Sequence, residues 1–505
     1  MTKTLDLSKL RSFFNNVTKE KTVSALRSFF MGKWYPIWIA FSVLVGRFTC
    51  LEVYFAMLDI LMASIALLVC DSIRPVLPNL ITFLYRIPLE HSPAHPNYSD
   101  YYTTEPSVKL IIVFMALFLA SLVYFYVKHK SFVGFNPLKQ QLFIPTLAFV
   151  TTFFTAGVLS GNKQEGEFLF ALMEFLVFFI VFYILYLGLR MEKFDELVDY
   201  FVYIATICAG ILIIEVIYAF LTLDTIIKNG SINKFAMLFG WGISNTCANV
   251  LSVIIPLSIL GSMRTSRKCS AVIYLGMSVL TLLASVSTMS RTAAIFGTLA
   301  FIIFLAVSCF AGKNKSVSRI MALIVALALV GAFVCFKDKI MLIFNRYIEK
   351  GFTVGAREQI WKNFLMAFKD NPIFGKGFFG FEPIDYVPPF YLVLAHNTII
   401  QILGSMGAVG LIAYIVYRVF TFIPFFKSFT MTKLLLLGSC AVLVFESLID
   451  NFIFWFNPTF VYNICIVLAV MHCEQTKREE LKDTGDVRDV VCDNIEKTSL
   501  VEENT

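Results

Sequence analysis

Apolar runs of about 20 residues recur along this chain of 505 residues and restrict its fold more than any other feature. Each run is long enough to cross the roughly 30 Å of hydrocarbon in a bilayer as a helix. Uninterrupted runs such as 291–311 favour helices over the alternating pattern of a membrane β-barrel. With 58% hydrophobic and 15% charged residues, the composition excludes the soluble classes. The sequence therefore predicts an all-α polytopic membrane protein.

We predict about 12 transmembrane helices, and all but one of them follow apolar runs with clear limits. These runs are 110–127, 139–160, 168–190, 199–222, 236–262, 270–290, 291–311, 319–336, 392–418, 433–450 and 452–472. The remaining helix lies within residues 34–73, where Arg47, Glu52 and Asp59 interrupt the apolar character. If this region and 75–88 together cross three times, the number becomes about 14.

Basic residues cluster in alternate connections between these runs, which predicts the orientation of the chain. The connections carry Lys128 and Lys130; Arg190 and Lys193; Arg264, Arg267 and Lys268; Lys313, Lys315 and Arg319; and Arg418, Lys427 and Lys433. The positive-inside rule assigns all of them, and both termini, to the cytoplasm. Five parts follow: a basic N-terminus (1–33), transmembrane helices (34–336), an extracytoplasmic loop (337–391), further transmembrane helices (392–472) and a charged, disordered tail (473–505).

The predicted extracytoplasmic loop 337–391 is long and net basic, with eight Lys or Arg against six Asp or Glu. A basic outer loop runs against the usual charge bias of membrane proteins. Positive charge on this side predicts an anionic ligand, and a lipid phosphate is the obvious candidate. A merely solvated loop is the alternative.

Within this loop, residues 357–381 combine an amphipathic helix with a glycine-rich turn. Arg357, Trp361 and Phe364 share one helical face by their spacing, and Asn371-Pro372 ends the helix. Gly375 and Gly377 permit tight backbone turns. They form either a plain turn or a backbone cradle for phosphate.

Arg291 and His396 are the candidate chemical residues next to this loop. Arg291 lies between two predicted helices at the outer surface, either as an interfacial anchor or as half of an anion clamp shared with Arg357. His396 begins a predicted helix at the same surface, with Asn397 beside it to fix the ring. An imidazole there suits a base that takes a proton from a hydroxyl, although lone histidines are more often structural. No zinc-ligand spacing accompanies it.

Four acidic residues lie within or beside predicted helices, where burial of a carboxylate is costly. They are Glu174, Glu215, Glu446 and Asp450. The last two share a helical face because they are four residues apart. Transport and packing roles both remain open for them.

The order of these motifs resembles the O-antigen ligase and polysaccharide polymerase family, bacterial membrane glycosyltransferases of C-type fold. The resemblance covers residues 236–420. Its elements are "NTCANVLSVIIP" with Asn245, "SRTAAIFG" with Arg291, "REQIW" with Arg357 and Trp361, "NPIFGKGFFGF" with Gly375 and Gly377, and "AHNTIIQILGSMGAVGL" with His396 and Asn397.

This resemblance implies an enzyme of the bacterial cytoplasmic (inner) membrane that acts at the outer leaflet. The donor would be a glycan linked to a polyprenyl pyrophosphate, and the acceptor another glycan or a lipid-linked glycan. Arg291 and Arg357 would bind the pyrophosphate, His396 would be the catalytic base, and Asn397, Asn245, Trp361, Gly375 and Gly377 would support them. It also implies inverting transfer without a metal or other cofactor, other polysaccharide-assembly proteins as partners, and no nucleic acid. Ligase and polymerase remain alternatives, as does a lipid-linked oligosaccharide flippase from a different class of protein.

Overall fold

The computed structural model describes most of the chain, and only these residues are discussed. They are 21–49, 51–82, 105–130, 135–161, 165–190, 192–222, 224, 227–228, 231–232, 238–239, 242–349, 356–381, 394–454 and 456–483. The end of the predicted tail, beyond 483, and the last part of the predicted outer loop, 382–391, lie outside them.

The described residues are almost entirely helical. The helices of the first half are α1 (Lys21–Met31), α2 (Trp34–Thr49), α3 (Glu52–Val69), α4 (Val76–Thr82), α5 (Glu105–Lys128), α6 (Phe143–Thr155), α7 (Glu165–Phe175), α8 (Phe182–Leu189) and α9 (Phe194–Thr222). The second half contains α10 (Ser244–Arg264), α11 (Lys268–Ser287), α12 (Arg291–Phe310), α13 (Lys315–Glu349), α14 (Ala356–Asp370), α15 (Thr398–Phe426), α16 (Met431–Ser447) and α17 (Phe456–Asp483). A π-helical segment, Leu176–Val181, joins α7 to α8. Short pieces of strand, Ile227–Lys228 paired with Ser231–Ile232 and Leu238–Phe239 paired with Gly242–Ile243, precede α10.

Nine helices of the described residues are long and apolar enough to cross a membrane, with α7 and α8 counted as one, or ten if the bent pair α1 and α2 forms one span. The prediction of an all-α, multi-pass membrane protein is therefore confirmed. The exact number of about 12 stays a prediction, because α6 has only 13 residues and α16 only 17. Each of these is shorter than the roughly 20 residues that an untilted span requires.

Helices α2 to α5 pack into a unit of their own, in which α3 lies against α2, α4 and α5. One of the two acids that interrupt the apolar character of this region, Asp59, is buried there with partners. Asp59 of α3 accepts hydrogen bonds from Trp38 Nε1 at 3.1 Å and from Ser42 Oγ at 2.5 Å, both on α2. Polar groups paired in this way allow a carboxyl group to lie between apolar helices.

Helix α10 forms the core of the part of the chain that contains residues 243–483. Nearly every side chain from Ser244 to Met263 is buried, and α9, α11, α12, α16 and α17 all pack against it. Small residues allow these close approaches: the hydroxyl of Ser252 lies 3.1 Å from that of Ser285, and Gly297 of α12 faces it. This packing fixes the positions of α12 and α16, near whose ends the candidate residues Arg291 and Asp450 lie.

The predicted loop 337–391 begins within a helix. Helix α13 continues to Glu349, so residues 337–349 are helical although their hydropathy is lower than that of the preceding run. Lys and Asp interrupt an apolar run without breaking a helix, since only Gly and Pro do that strongly. The extracytoplasmic location of this segment stays a prediction.

The placement of Arg418 in a connection between helices was wrong. Arg418 lies inside α15, is 7% exposed, and is surrounded by aromatic rings. Its guanidinium carbon lies 4.8 Å from the ring centre of Tyr414, 5.5 Å from Tyr417 and 4.9 Å from Tyr462. Cation–π attraction and a hydrogen bond to the Tyr462 hydroxyl hold this charge within the bundle.

Candidate active site

His396 lies two residues before the start of α15, in a backbone conformation that its surroundings enforce. Its φ of 51° is in the left-handed region, which few residues other than glycine adopt. The preceding residue, Ala395, is held from both sides: its N–H donates to Gln401 Oε1 at 2.6 Å, and its carbonyl accepts from Trp361 Nε1 at 2.7 Å. Strain of this kind persists only where neighbouring contacts determine the conformation. The predicted supporting residue Trp361 therefore contacts the backbone beside His396 and not its ring.

Asn397 fixes the other side of the histidine. Its side-chain Oδ1 caps α15 by accepting the N–H of Ile400 at 3.0 Å. Its Nδ2 donates to the carbonyl of Leu448 at 2.7 Å, just beyond the end of α16. The Asn397 side chain thus caps the N-terminus of α15 and hydrogen-bonds to the turn that follows α16.

Asp450, in that same turn, is the hydrogen-bond partner of the histidine ring. His396 Nδ1 lies 2.7 Å from Asp450 Oδ1, and the carboxylate side chain is only 9% exposed. Arg357 approaches the second oxygen, with Nη2 at 3.8 Å from Oδ2, while its Nη1 donates to the carbonyl of Ile449 at 2.8 Å. The carboxylate therefore joins the predicted base to one of the predicted anion-binding arginines.

The electrostatic surroundings keep Asp450 ionised. Burial alone would raise the pKa of this carboxyl, but the hydrogen bond from His396 and the charges of His396 and Arg357 outweigh it. As a result the pKa of Asp450 lies below its ordinary value. The Asp450 carboxylate therefore places a negative charge beside the imidazole ring.

The buried side chain of Gln401 also belongs to this hydrogen-bond network, although the sequence did not predict it. Gln401 Oε1 accepts from Ala395 N and also from Asn451 Nδ2 at 2.8 Å. The N–H of Asn451 in turn donates to Asp450 Oδ1 at 3.0 Å. The only signal in the sequence is an amide one turn into an apolar helix, which alone does not identify its partners.

The glycine-rich turn docks on α15 through its backbone. Lys376 N donates to the carbonyl of Gly404 at 2.8 Å, and Gly377 N to that of Ser405 at 2.9 Å. These N–H groups are therefore engaged with protein, which agrees with the plain turn and not with the phosphate cradle. At Gly375, with φ of 68°, a Cβ would overlap the backbone of Ser405.

Helix α15 is kinked at Gly407 to receive this turn. Gly407 has φ of 67°, and a Cβ there would overlap the carbonyl group of Ile373. We expect Gly407→Ala to destabilise the protein by about 2 kcal/mol or more, from the left-handed strain and the overlap together. Thermal unfolding of the purified protein in detergent measures this effect.

Gly276→Ala is the matched control for this prediction. Gly276 lies within α11, and the Cβ that alanine would add there meets no neighbouring atom within 4 Å. Alanine at this position should therefore be neutral or slightly stabilising. Equal unfolding temperatures for Gly407→Ala and Gly276→Ala would show that the docking of the turn is not tight.

A second buried polar pair lies one helical turn before Asp450. Glu446 of α16 accepts a hydrogen bond from Asn249 Nδ2 of α10, and both side chains are fully buried. Among the described residues, Glu446 Oε1 and Asn249 Oδ1 have no partner. The predicted Asn245 lies one turn before Asn249, at the start of the same helix.

Arg291 begins α12 and is exposed. Phe296, further along α12, stacks on Phe445 of α16 with ring centres 5.9 Å apart. This contact brings the start of α12 and the end of α16 to the same end of the bundle. Arg291 and Asp450 therefore lie at that common end.

Comparison with known proteins identifies one region of the chain. Residues 276–415 match the O-antigen ligase family, and no curated protein matches. The matched residues include Arg291, Arg357 and His396, whereas Asn245 and Asp450 lie outside them. Residues 276–415 are therefore similar to the O-antigen ligase family, in agreement with the family that the order of the motifs predicted.

Proposed function

We propose that this protein is a membrane glycosyltransferase of cell-surface polysaccharide assembly. It would transfer a glycan from a polyprenyl pyrophosphate to a hydroxyl group of an acceptor glycan. The contact that supports this proposal most strongly is the 2.7 Å hydrogen bond between His396 Nδ1 and Asp450 Oδ1. A buried carboxylate on one nitrogen of an accessible imidazole is the arrangement of a general base.

The tautomer of His396 follows from this contact. An ionised carboxylate only accepts hydrogen bonds, so Nδ1 carries the proton in the neutral ring and Nε2 has a free lone pair. The side chain is 35% exposed, and among the described residues none hydrogen-bonds Nε2. Nε2 is therefore the atom that would receive the proton of an acceptor hydroxyl.

Arg357 would bind the pyrophosphate beside this base. Its contacts with Ile449 and Asp450 orient the guanidinium, while 34% of the side chain remains exposed. Arg291, exposed at the same end of the bundle, would supply the second guanidinium. Planar guanidinium groups bind two phosphate oxygens at once, which suits a diphosphate.

The proposed reaction is a single displacement. His396 Nε2 takes the hydroxyl proton, the acceptor oxygen forms a bond to the anomeric carbon, and the bond from that carbon to the pyrophosphate oxygen breaks. Polyprenyl pyrophosphate leaves with the bonding electron pair, and the proton passes from His396 to solvent. Direct attack without a protein nucleophile inverts the anomeric configuration. Two arginines would stabilise the charge of the leaving group, a task that a metal ion performs in other enzymes.

The proposed binding of pyrophosphate by two arginines predicts a loss of activity when lysine replaces either of them, although lysine keeps the positive charge. Arg291→Lys and Arg357→Lys keep the positive charge but lose the bidentate fork, so each should lower kcat/KM by about 10- to 100-fold. Transfer by the wild-type protein should continue in EDTA. Arg267→Lys, in an exposed turn after α10, should leave kcat/KM unchanged. A strict requirement for added Mg²⁺ or Mn²⁺ would show that a metal neutralises the pyrophosphate.

The membrane side of the site is tested by cysteine labelling. Lys362 of α14 is 61% exposed, so Lys362→Cys in a background without native cysteines should react with an impermeant thiol reagent in intact cells. Lys313→Cys, in an exposed turn before α13 and predicted to be cytoplasmic, should react only after lysis. The reverse pattern would overturn the outward orientation of the site.

The identity of the acceptor distinguishes a polymerase from a ligase. A strain that lacks the gene should show surface chains of a single repeat unit if the protein is a polymerase. Full-length chains left on the lipid carrier would instead identify a ligase. Glycan analysis by gel and mass spectrometry separates these outcomes.

A further inference from the structure

A charged cavity lies at the opposite end of α15 from His396. Its volume is about 550 Å³, within the usual range of ligand sites. Beyond its kink at Gly407, helix α15 continues for 19 residues, or about 28 Å, which is close to the hydrocarbon thickness of a bilayer. We therefore expect the cavity and the candidate active site at opposite membrane surfaces. The positive-inside rule predicts that the cavity faces the cytoplasm.

Lysines outnumber carboxylates around this cavity. Lys139, Lys427 and Lys477 line it, together with Glu474 and Glu480. The carboxylate of Glu474 accepts a hydrogen bond from the hydroxyl of Tyr186 at 2.6 Å. The lining therefore carries three ammonium groups against two carboxylates.

A fourth ammonium group lies behind the cavity wall. Lys433 has no exposed surface, and its Nζ donates to the carbonyls of Pro424 and Lys427 at 3.0 and 2.5 Å and to Cys473 Sγ at 3.1 Å. All three of these partners line the cavity. Among the described residues, no carboxylate lies within ion-pair distance of Lys433. A buried charge without a counter-ion is costly, and an anion in the cavity would offset that cost.

The wall also presents a polar group that lacks a protein partner. Tyr183 is 8% exposed and lines the cavity, and its hydroxyl has no hydrogen-bond partner among the described residues. Buried hydroxyl groups are rarely left unsatisfied. Leu142, Phe182 and Val470 supply apolar surface beside it. The cavity thus combines positive charge, a hydroxyl donor and an apolar wall.

We propose that this cavity binds the phosphate headgroup of an anionic glycerophospholipid from the cytoplasmic leaflet. Its phosphodiester would interact with Lys139 and Lys427 and accept a hydrogen bond from the hydroxyl of Tyr183. The apolar wall would contact the glycerol and the first acyl carbons. This site is separate from the proposed transfer reaction, and its test does not depend on enzymatic activity.

Lipid retention tests the proposal. The full-length protein is reconstituted in nanodiscs of equal phosphatidylglycerol and phosphatidylcholine, released into detergent, and its co-purified lipid is measured by native mass spectrometry. We expect the wild type to retain phosphatidylglycerol selectively. Lys139→Gln combined with Lys427→Gln should reduce this retention about 10-fold or more, because each charged hydrogen bond contributes strongly. Lys139→Arg with Lys427→Arg should preserve it.

The control removes two lysines elsewhere on the same predicted surface. Lys313→Gln with Lys315→Gln lowers the net charge equally but lies outside the cavity, so retention should match the wild type. Equal retention by both double variants would overturn the proposal. Binding of soluble glycerol 3-phosphate without selective retention of phosphatidylglycerol would contradict the lipid as the source of the phosphate. Tyr183→Phe should weaken retention while leaving the unfolding temperature unchanged, and unaltered retention would count against the proposed contact.

Discussion

His396→Gln is expected to abolish detectable glycan transfer while leaving the protein folded and able to bind its donor. Glutamine preserves the approximate size and one hydrogen bond of the ring but cannot take up a proton at neutral pH. General-base assistance contributes about 10²- to 10⁴-fold in rate, so the loss of kcat should be of that size. The change should fall on kcat with little change in KM for the donor, because the proposed pyrophosphate contacts belong to the arginines.

Donor retention by the purified His396→Gln variant is the control for this result. Bound polyprenyl-linked donor should remain near the wild-type amount when measured by native mass spectrometry. Transfer at close to the wild-type rate would mean that His396 is only a structural hydrogen-bonding group. The base would then be sought among the loop carboxylates Glu382 and Asp385, which lie outside the described residues.

Asp450→Asn should cause a comparable loss. The amide can accept from or donate to His396 Nδ1, and when it donates, the ring proton moves to Nε2 and blocks the lone pair that the reaction needs. We expect kcat to fall by about 10²- to 10⁴-fold. Asp370→Asn, an exposed residue at the end of α14, should retain full activity.

A double variant distinguishes this positioning role from a merely structural one. Because the carboxylate acts through the imidazole, Asp450→Asn combined with His396→Gln should lose no more activity than His396→Gln alone. A variant that loses activity only by partial unfolding would instead add its loss to that of His396→Gln. Unchanged activity of Asp450→Asn would show that the contact with His396 does not assist transfer.

Much of the candidate site is predictable because its residues occur in short motifs of fixed order. The sequence identifies Arg357, Trp361, His396 and Asn397. In the structure three of them contact the turn after α16, and Trp361 contacts the backbone of Ala395 beside His396. The glycines of the 375–377 turn are also evident from the sequence, although the N–H group of Gly377 binds α15 and not a ligand. Local spacing is sufficient to predict such elements.

Long-range partners are not predictable in the same way. The sequence marks Asp450 as a costly acid, but its partner is 54 residues away and depends on the turn after α16. Hydropathy likewise ends a span at Arg418, since an average over a window cannot reveal the three tyrosine rings around that charge. The same averaging ends a predicted span at 336, which lies within α13. Tertiary contacts decide such positions, and no local pattern encodes them.

The function proposed for this chain is the transfer of glycans and not merely their movement across the membrane. The most direct measurement uses purified protein in proteoliposomes with a polyprenyl pyrophosphate-linked oligosaccharide and an acceptor glycan, in the presence of EDTA. We predict release of free polyprenyl pyrophosphate together with a longer acceptor, both followed by mass spectrometry. Intact donor that has only changed leaflets, with the acceptor unaltered, would contradict the account.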